Sequence, residues 1–468
     1  MEEIQARLMS FFIACNGVLW GWLMIWLLLG AGVYYSIRLG FPQIRYFVYM
    51  FKVTLKGLRG EKTGGITSFQ ALCTGLAAQV GTGNLAGVAS ALASGGPGAI
   101  FWMWMTALVG MATIMAEATL GQVFRVSKGD GTYRGGPAYY IERGLGQRWM
   151  GILFAVCITI SMALIFNAVQ TNSIAAAAGT FGADKASVAV AVMILTGLVI
   201  FGGLRRIARV AEIVVPIMAL MYILVALYVV ITHITLLPSV LRLIVTSAFG
   251  VKPVAGGILG YTVAMAFRYG VARGLFSNEA GMGSTPNANA TAEVNHPARQ
   301  GFVAMMGVFV DTILICTATA AIVLLSGEVG SGKTGIELTQ LALRATVGEL
   351  GPILITVALA FFSWTSILGN YYYGESNLGY IFPGFGGYGL FVFRVVVLGM
   401  LFFGAVSDVP LVWEMADFFN GVMALVNLVA ILLLSGVTRK VYADYVKRHK
   451  AGESDPKADP EFIKGFSK

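Results

Sequence analysis

Charged side chains are scarce in this chain. Asp, Glu, Lys and Arg make up 12 % of its 468 residues, whereas 57 % are apolar. A soluble domain needs more polar surface than that to cover its core. Together with repeated runs of 18 or more apolar residues, the shortage excludes soluble classes and indicates an all-α polytopic membrane protein. Cysteine is rare too: Cys15, Cys73, Cys157 and Cys316 all fall in apolar spans, where a free thiol behaves as a small hydrophobe, so no disulfide is expected. The three histidines, His233, His296 and His449, lie far apart with no Cys or second His at ligand spacing, which argues against a metal cluster. No secretory leader is expected either. The first apolar run, 11–33, follows Glu2, Glu3 and a single Arg7 and precedes no small-residue cleavage site, so it reads as a retained helix. The net charge of +9 does not imply nucleic acid, because cytoplasmic loops of membrane proteins concentrate Lys and Arg.

Eleven spans fit the apolar pattern: 11–36, 67–96, 99–124, 148–178, 186–203, 207–232, 254–284, 300–325, 351–374, 388–405 and 409–436. An odd number puts the termini on opposite sides. Alternate loops carry twenty-three basic residues on one side against six on the other, which places the N-terminus outside and the C-terminus in the cytoplasm. Without the first helix, ten spans divide five and five with opposite topology. The expected organisation is an extra helix (1–40), a basic interfacial segment (41–66), two halves (67–235 and 253–437) and a solvated cytoplasmic tail (438–468). In the interfacial segment Tyr46, Phe47, Tyr49 and Phe51 are expected to dip into lipid headgroups. The short apolar stretch 235–251 suits a lid or a surface helix.

The second span is interrupted at its middle by Gln79, Gly81, Thr82, Gly83 and Asn84. Unpaired backbone groups in hydrocarbon cost several kcal/mol each, so such a break survives only where protein, water or a solute satisfies it. The restarted half-helix points free N–H groups and its positive end into the gap, which suits an anion such as an amino-acid carboxylate. The second half opens with another interrupted segment, 253–283, with Gly270, Arg273, Gly274, Ser277 and Asn278 near its middle or far end; Gly270 and Gly274 also suit close helix packing. Broken helices at corresponding positions of inverted halves point to a carrier site at the midplane.

In the ninth span Thr365 and Ser366 offer hydroxyl oxygens to a small hard cation. With carbonyls near Ala77 and Val80 they would form a Na⁺ cage, unless they merely bond back to their own helix. Asn370 and Gln79 are candidates to bind a solute's polar groups, and Trp364, Ile367 and Phe276 to limit its size. In the fourth span Phe166, Asn167, Gln170, Thr171 and Asn172 lie within about two turns, and Phe166 and Gln170 share a face that suits a pocket wall or interhelical bonding. Intramembrane charges include Glu117, Arg268, Arg273, Glu279, Asp311, Glu414 and Asp417. Arg273 is placed to pair with Glu279 or meet a substrate carboxylate; Glu117 and Asp311 suit proton relay or neutralising an arginine. Residues 327–334 read GEVGSGKT, which satisfies a phosphate-loop pattern by letter, but they follow a membrane helix rather than a buried strand, so ATP is not expected as a partner.

Four segments are distinctive: GGPGAIFWMWMTALVG from Gly95, GTGNLAGVASA from Gly81, RGGPAYYIERGLG from Arg134 and RGLFSNEAGMGS from Arg273. They resemble the sodium:alanine (alanine/glycine:cation) symporter family over nearly the whole chain. The resemblance implies a LeuT-like fold of five-plus-five inverted repeats with one extra N-terminal helix, and Na⁺-driven uptake of alanine or glycine through the plasma membrane. It further implies that the amides of Gly81, Thr82, Gly83 and Asn84, with Gln79, hold the substrate carboxylate, and that Thr365 and Ser366 ligate Na⁺ with the carbonyls of Ala77 and Val80. Around the second break it assigns Arg273, Gly274 and Phe276 more loosely, with the unwinding anywhere from Arg268 to Phe276. A proton-coupled carrier of the same fold is the alternative, with Asp311 or Glu117 titrating.

Overall fold

The computed structural model describes residues 2–58, 65–250, 262–407 and 410–467; Arg59 and Lys62 of the basic segment, and positions 254–261 and 409 of two expected spans, lie outside these. Among the described residues the regular structure is helical, apart from a hairpin pairing Val126–Ser127 with Tyr133–Arg134 and a bridge from Ile66 to Ala292. We number the main helices α1 (2–38), α2 (Phe47–Leu58), α3 (Ser68–Gln79), α4 (83–95), α5 (Gly98–Val123) and α6 (Arg148–Gly179). Then follow α7 (Lys185–Ile200), α8 (Gly203–Thr232), α9 (Leu237–Ala248), α10 (Val263–Asn278) and α11 (Pro297–Ser326). The last are α12 (Gly335–Val347), α13 (Leu350–Ile381), α14 (Gly387–Val406), α15 (Pro410–Leu433) and α16 (Ser435–Lys450). Among the described residues eight helices are long and apolar enough to cross a membrane: α1, α5, α6, α8, α11, α13, α14 and α15.

Local signals set several helix starts. Thr67 and Gln70 form a reciprocal capping box at the start of α3, each bond 3.1 Å. Asp184 caps α7 through Ser187 N at 2.8 Å, and Thr262 caps α10 through Met265 N at 3.1 Å. His296 caps α11 by accepting from Ala298 N through Nδ1 at 3.1 Å. Burial pushes its pKa down to about 4, against the pull of Asp444, and the neutral ring keeps the lone pair this cap requires.

The centre of the molecule is α5, against which α10 and α11 both pack. Contact with α10 is close because Gly270 and Gly274 carry no Cβ: one on Gly270 would strike the Ala99 carbonyl, and one on Gly274 the Thr106 hydroxyl. The two glycines are therefore packing residues in an unbroken helix. The expected unwinding between Arg268 and Phe276 is displaced: α10 runs to Asn278, and the chain leaves the helix at Glu279, in the left-handed region at φ 54°, before the short helix Pro286–Asn289. Gly281 and Gly283, at φ +91° and +82°, make the turns that follow.

One other expectation changes. The tail is docked: Asp455 pairs with Arg299 at 3.0 Å and accepts from Asn295 at 2.7 Å, Ala458 N bonds Asn295 O at 3.0 Å, and Lys56 reaches Ser454 O at 3.1 Å. Opposite charges on the tail and in the first turn of α11 account for the ion pair. The interfacial aromatics, each still partly exposed, also touch protein rings, Tyr46 and Tyr49 against Phe302, and Phe47 and Phe51 against Phe309. Of the two readings for 235–251, the surface helix is the one found: α9 packs on the start of α5. Residues 327–334 form a turn leading into α12, with Lys333 exposed and paired to Glu337 at 3.2 Å, not a loop between a strand and a helix.

Candidate functional site

The first break lies between α3 and α4. In an unbroken helix the amides of Gly81 and Thr82 would close on the carbonyls of Ala77 and Ala78. Here Gly81 N donates to Asn84 Oδ1 at 2.9 Å and Thr82 N points to Gln170 Oε1 at 3.4 Å. Two side chains thus take over donors that the helix gave up. The second helix restarts at Gly83 with its amides at the gap.

Ser366 on α13 faces the break. Its hydroxyl lies 3.1 Å from the Val80 carbonyl and 3.0 Å from that of Phe362, and the Thr365 hydroxyl lies 3.0 Å from the same Phe362 carbonyl. Back-bonding within α13 is therefore present for both hydroxyls, but Ser366 also reaches across to the broken helix. Four oxygens, from Val80, Phe362, Thr365 and Ser366, gather in a buried place with no charged side chain among them. The Phe362 carbonyl was invisible in the sequence, because a backbone oxygen carries no residue signature. Thr365 sits on the α8 side, 3.5 Å from Met218 Sδ.

Asn84, fully buried, joins the first break to the second. Its Nδ2 donates to Asp311 Oδ1 at 2.6 Å and to Ser277 Oγ at 3.1 Å, while Ser277 and Thr312 donate to Asp311 Oδ2 at 2.7 and 2.8 Å. Thr319 holds the Asn84 carbonyl at 2.8 Å. Gln79 crosses directly, donating to Asn278 O at 2.5 Å.

At the second break Glu117 of α5 accepts from Gly281 N and Gly283 N, both at 3.0 Å, and from Asn427 Nδ2 at 2.5 Å. Asn427 also holds Gly281 O at 2.8 Å and accepts from Tyr140. A fully buried carboxylate thus fastens the unwound backbone, and neither Glu117 nor Asp311 meets an arginine as the sequence reading had allowed. Asn427 escaped that reading entirely; only its place in an apolar span could have flagged it.

The remaining candidates separate. Phe276 lies over Gly83, where a Cβ would sit 3.5 Å from the ring, and its centroid is 5.2 Å from that of Phe166. Gln170 joins them through Thr82. Arg273 lies over the Phe276 ring at 5.8 Å, and among the described residues it forms no ion pair with Glu279. Gly274 packs against α5, away from the break. Ile367 and Trp364 pack into an apolar cluster with Ile174, Val192 and Leu401. Asn167 and Asn172 bond carbonyls of α13 and α14, Ile367 O at 3.3 Å and Gly404 O at 2.8 Å, as interhelical ties. Asn370 is fully buried with neither amide atom partnered.

Such a polar site, buried among long apolar helices and built on two helix interruptions, defines a multi-pass membrane protein that handles a small polar solute. The profile of the sodium:alanine symporter family matches residues 5–460, and the chain belongs to that family. It is 50 % identical to the amino-acid carrier protein AlsT of Bacillus subtilis over 430 residues, covering 92 % of this chain and 90 % of AlsT. It is 46 % identical to the probable sodium/glutamine symporter GlnT of the same organism, over 100 % and 95 % of the two chains. Identity to the sodium/alanine symporter AgcS of Methanococcus maripaludis is 41 %, over 90 % and 94 %. Family and relatives are transporters, not enzymes.

Proposed function

We propose that this protein carries alanine or glycine into the cell together with Na⁺ by alternating access, in the plasma membrane, with the N-terminus outside and the C-terminus in the cytoplasm. The fold behind this reading is LeuT-like: α3–α8 and α10–α15 are inverted halves, α1 is the extra helix, and eleven spans result when the interrupted and short helices are counted. The observation that carries it is the meeting of Ser366 with the Val80 carbonyl at the break, 3.1 Å apart, which brings neutral oxygens together beside the freed amides of α4. Na⁺ tolerates such ligands, and bound there it favours a carboxylate at the helix N-terminus next to it. Coupling follows, because each partner improves the site for the other. Inward movement of one Na⁺ gains about 2.3 kcal/mol per 100 mV.

The test is uptake of labelled alanine into liposomes holding the purified protein. An inward Na⁺ gradient should drive accumulation, and K⁺ with an imposed pH gradient should not. Uptake that follows pH alone would replace Na⁺ by H⁺ and redirect attention to Asp311 and Glu117.

Substrate size is assigned to the Phe276 and Phe166 rings next to Gly83. Phe276→Ala should admit larger neutral amino acids such as leucine or glutamine as competitors of alanine uptake, with alanine itself weakened by about tenfold, in line with a lost aromatic contact of about 1–2 kcal/mol. Competition unchanged from the wild type would remove Phe276 from the pocket wall.

A further inference from the structure

The outer side of α7 and α14, away from both breaks, holds a groove of about 500 Å³. That is the size of a small-molecule site, about 300–1,000 Å³. Ile194, Gly197 and Leu198 of α7, Phe201 just past its end, Leu398 of α14 and Arg206 in the first turn of α8 line it. Ile194, Leu198 and Phe201 are exposed, and α14 is long and apolar enough to cross a membrane, so the groove opens toward hydrocarbon. Its floor is open because Gly197 has no side chain. A Cβ there would lie 3.8 Å from Leu398 Cδ1, an ordinary contact, and meet no other described residue within 4 Å. From Ile194 to Phe201 the wall runs about 10 Å, against about 15 Å for half the hydrocarbon core of a bilayer.

Charge stands at one end of this slot. The exposed Arg206 side chain folds back over the turn between α7 and α8, where a Cβ on Gly202 would strike its Nε. There Nη1 donates to Leu198 O at 2.8 Å, which satisfies one of the last carbonyls of α7. Capping uses one of the five N–H donors of a guanidinium. Among the described residues no Asp or Glu forms an ion pair with Arg206, so its charge is left for something outside the chain. Phe201 shares this end. Its ring lies 6.1 Å from that of Phe391, and the half-buried Arg394 guanidinium stands 5.2 Å from the same ring while its Nε donates to the Tyr371 hydroxyl at 3.0 Å. Two guanidinium groups thus flank Phe201. An apolar slot that ends in guanidinium donors matches the two parts of a phospholipid, an acyl chain and a phosphate. A choline headgroup would cancel the phosphate charge, whereas an anionic lipid keeps it for the arginines.

We propose that this groove holds one anionic phospholipid, with its phosphate on Arg206 and an acyl chain along Gly197 between Leu198, Phe201 and Leu398. Binding here is independent of the ion and the solute taken at the first break.

The experiment is native mass spectrometry of the purified full-length protein in non-ionic detergent, titrated with phosphatidylglycerol or with phosphatidylcholine of the same chains. The wild type should hold one phosphatidylglycerol about tenfold more tightly than phosphatidylcholine or any further phosphatidylglycerol, the size of one charge-assisted contact. Arg206→Ala should remove that advantage. Arg209→Ala, which deletes an exposed arginine outside the groove, should leave it unchanged. Gly197→Leu keeps Arg206 but fills the slot; it should weaken both lipids, and so reads the groove even if Arg206→Ala loosens the turn it caps. Excess inorganic phosphate should not displace the lipid. First-lipid affinity retained in both Arg206→Ala and Gly197→Leu overturns the site. Equal losses in Arg206→Ala and Arg209→Ala overturn it in favour of diffuse surface charge. Displacement by phosphate, with Gly197→Leu silent, overturns it in favour of a bare anion site. A two-chain mass without lipid, lost in Gly197→Leu, overturns it in favour of a second copy in the groove.

Discussion

Replacing Thr365 and Ser366 together by alanine is expected to lower the affinity for Na⁺ in driving alanine uptake by about 100-fold or more. Two of the four oxygens gathered at the first break are these hydroxyls, and interactions of a polar group with a charge are worth about 1.5–3 kcal/mol each. The carbonyls of Val80 and Phe362 remain, so the break itself should survive. The measurement is the Na⁺ concentration that half-saturates uptake in proteoliposomes. The single variants divide the effect. Ser366→Ala should cost more than Thr365→Ala, because only Ser366 touches both Val80 and Phe362, whereas Thr365 is turned toward Met218. Equal and small losses would mean that both hydroxyls only bond back to α13.

The second large effect is expected from Glu117→Gln. The carboxylate has an acceptor for each of Gly281 N, Gly283 N and Asn427 Nδ2. Glutamine turns one of its two oxygens into a donor, so one backbone N–H at the second break loses its acceptor and meets another N–H. Losing a hydrogen bond to a charged group and burying an unpaired donor together cost about 3 kcal/mol, which corresponds to about 100-fold in the population of the folded break. Uptake should fall by that order at saturating Na⁺ and alanine, because the assembled site, not one ligand's affinity, is lost. Asp at this position should also fail, being one methylene too short to reach both glycines. Near-normal uptake by Glu117→Gln would show that the Gly281–Gly283 turn holds its shape without the charge.

The sequence alone determined the class of the molecule, because apolar runs of membrane length with so little charge have no stable soluble arrangement. It also located the first break. Gly81 and Gly83 with the polar residues between and beside them inside an apolar run are a local contradiction, and a contradiction of that kind is readable without neighbours. The Thr365–Ser366 pair stood out for the same reason. The second break was left open by the same logic, since Gly270 and Gly274 suit either unwinding or close packing until α5 is seen packed against them. Tertiary structure decided whether a glycine served close approach or unwinding. It also decided which buried charges share a partner: Glu117 reaches Gly281 across 164 positions, and Asp311 reaches Asn84 across 227. Helix periodicity says which side chains share a face, but what lies opposite that face depends on how distant helices pack, and no local pattern contains it.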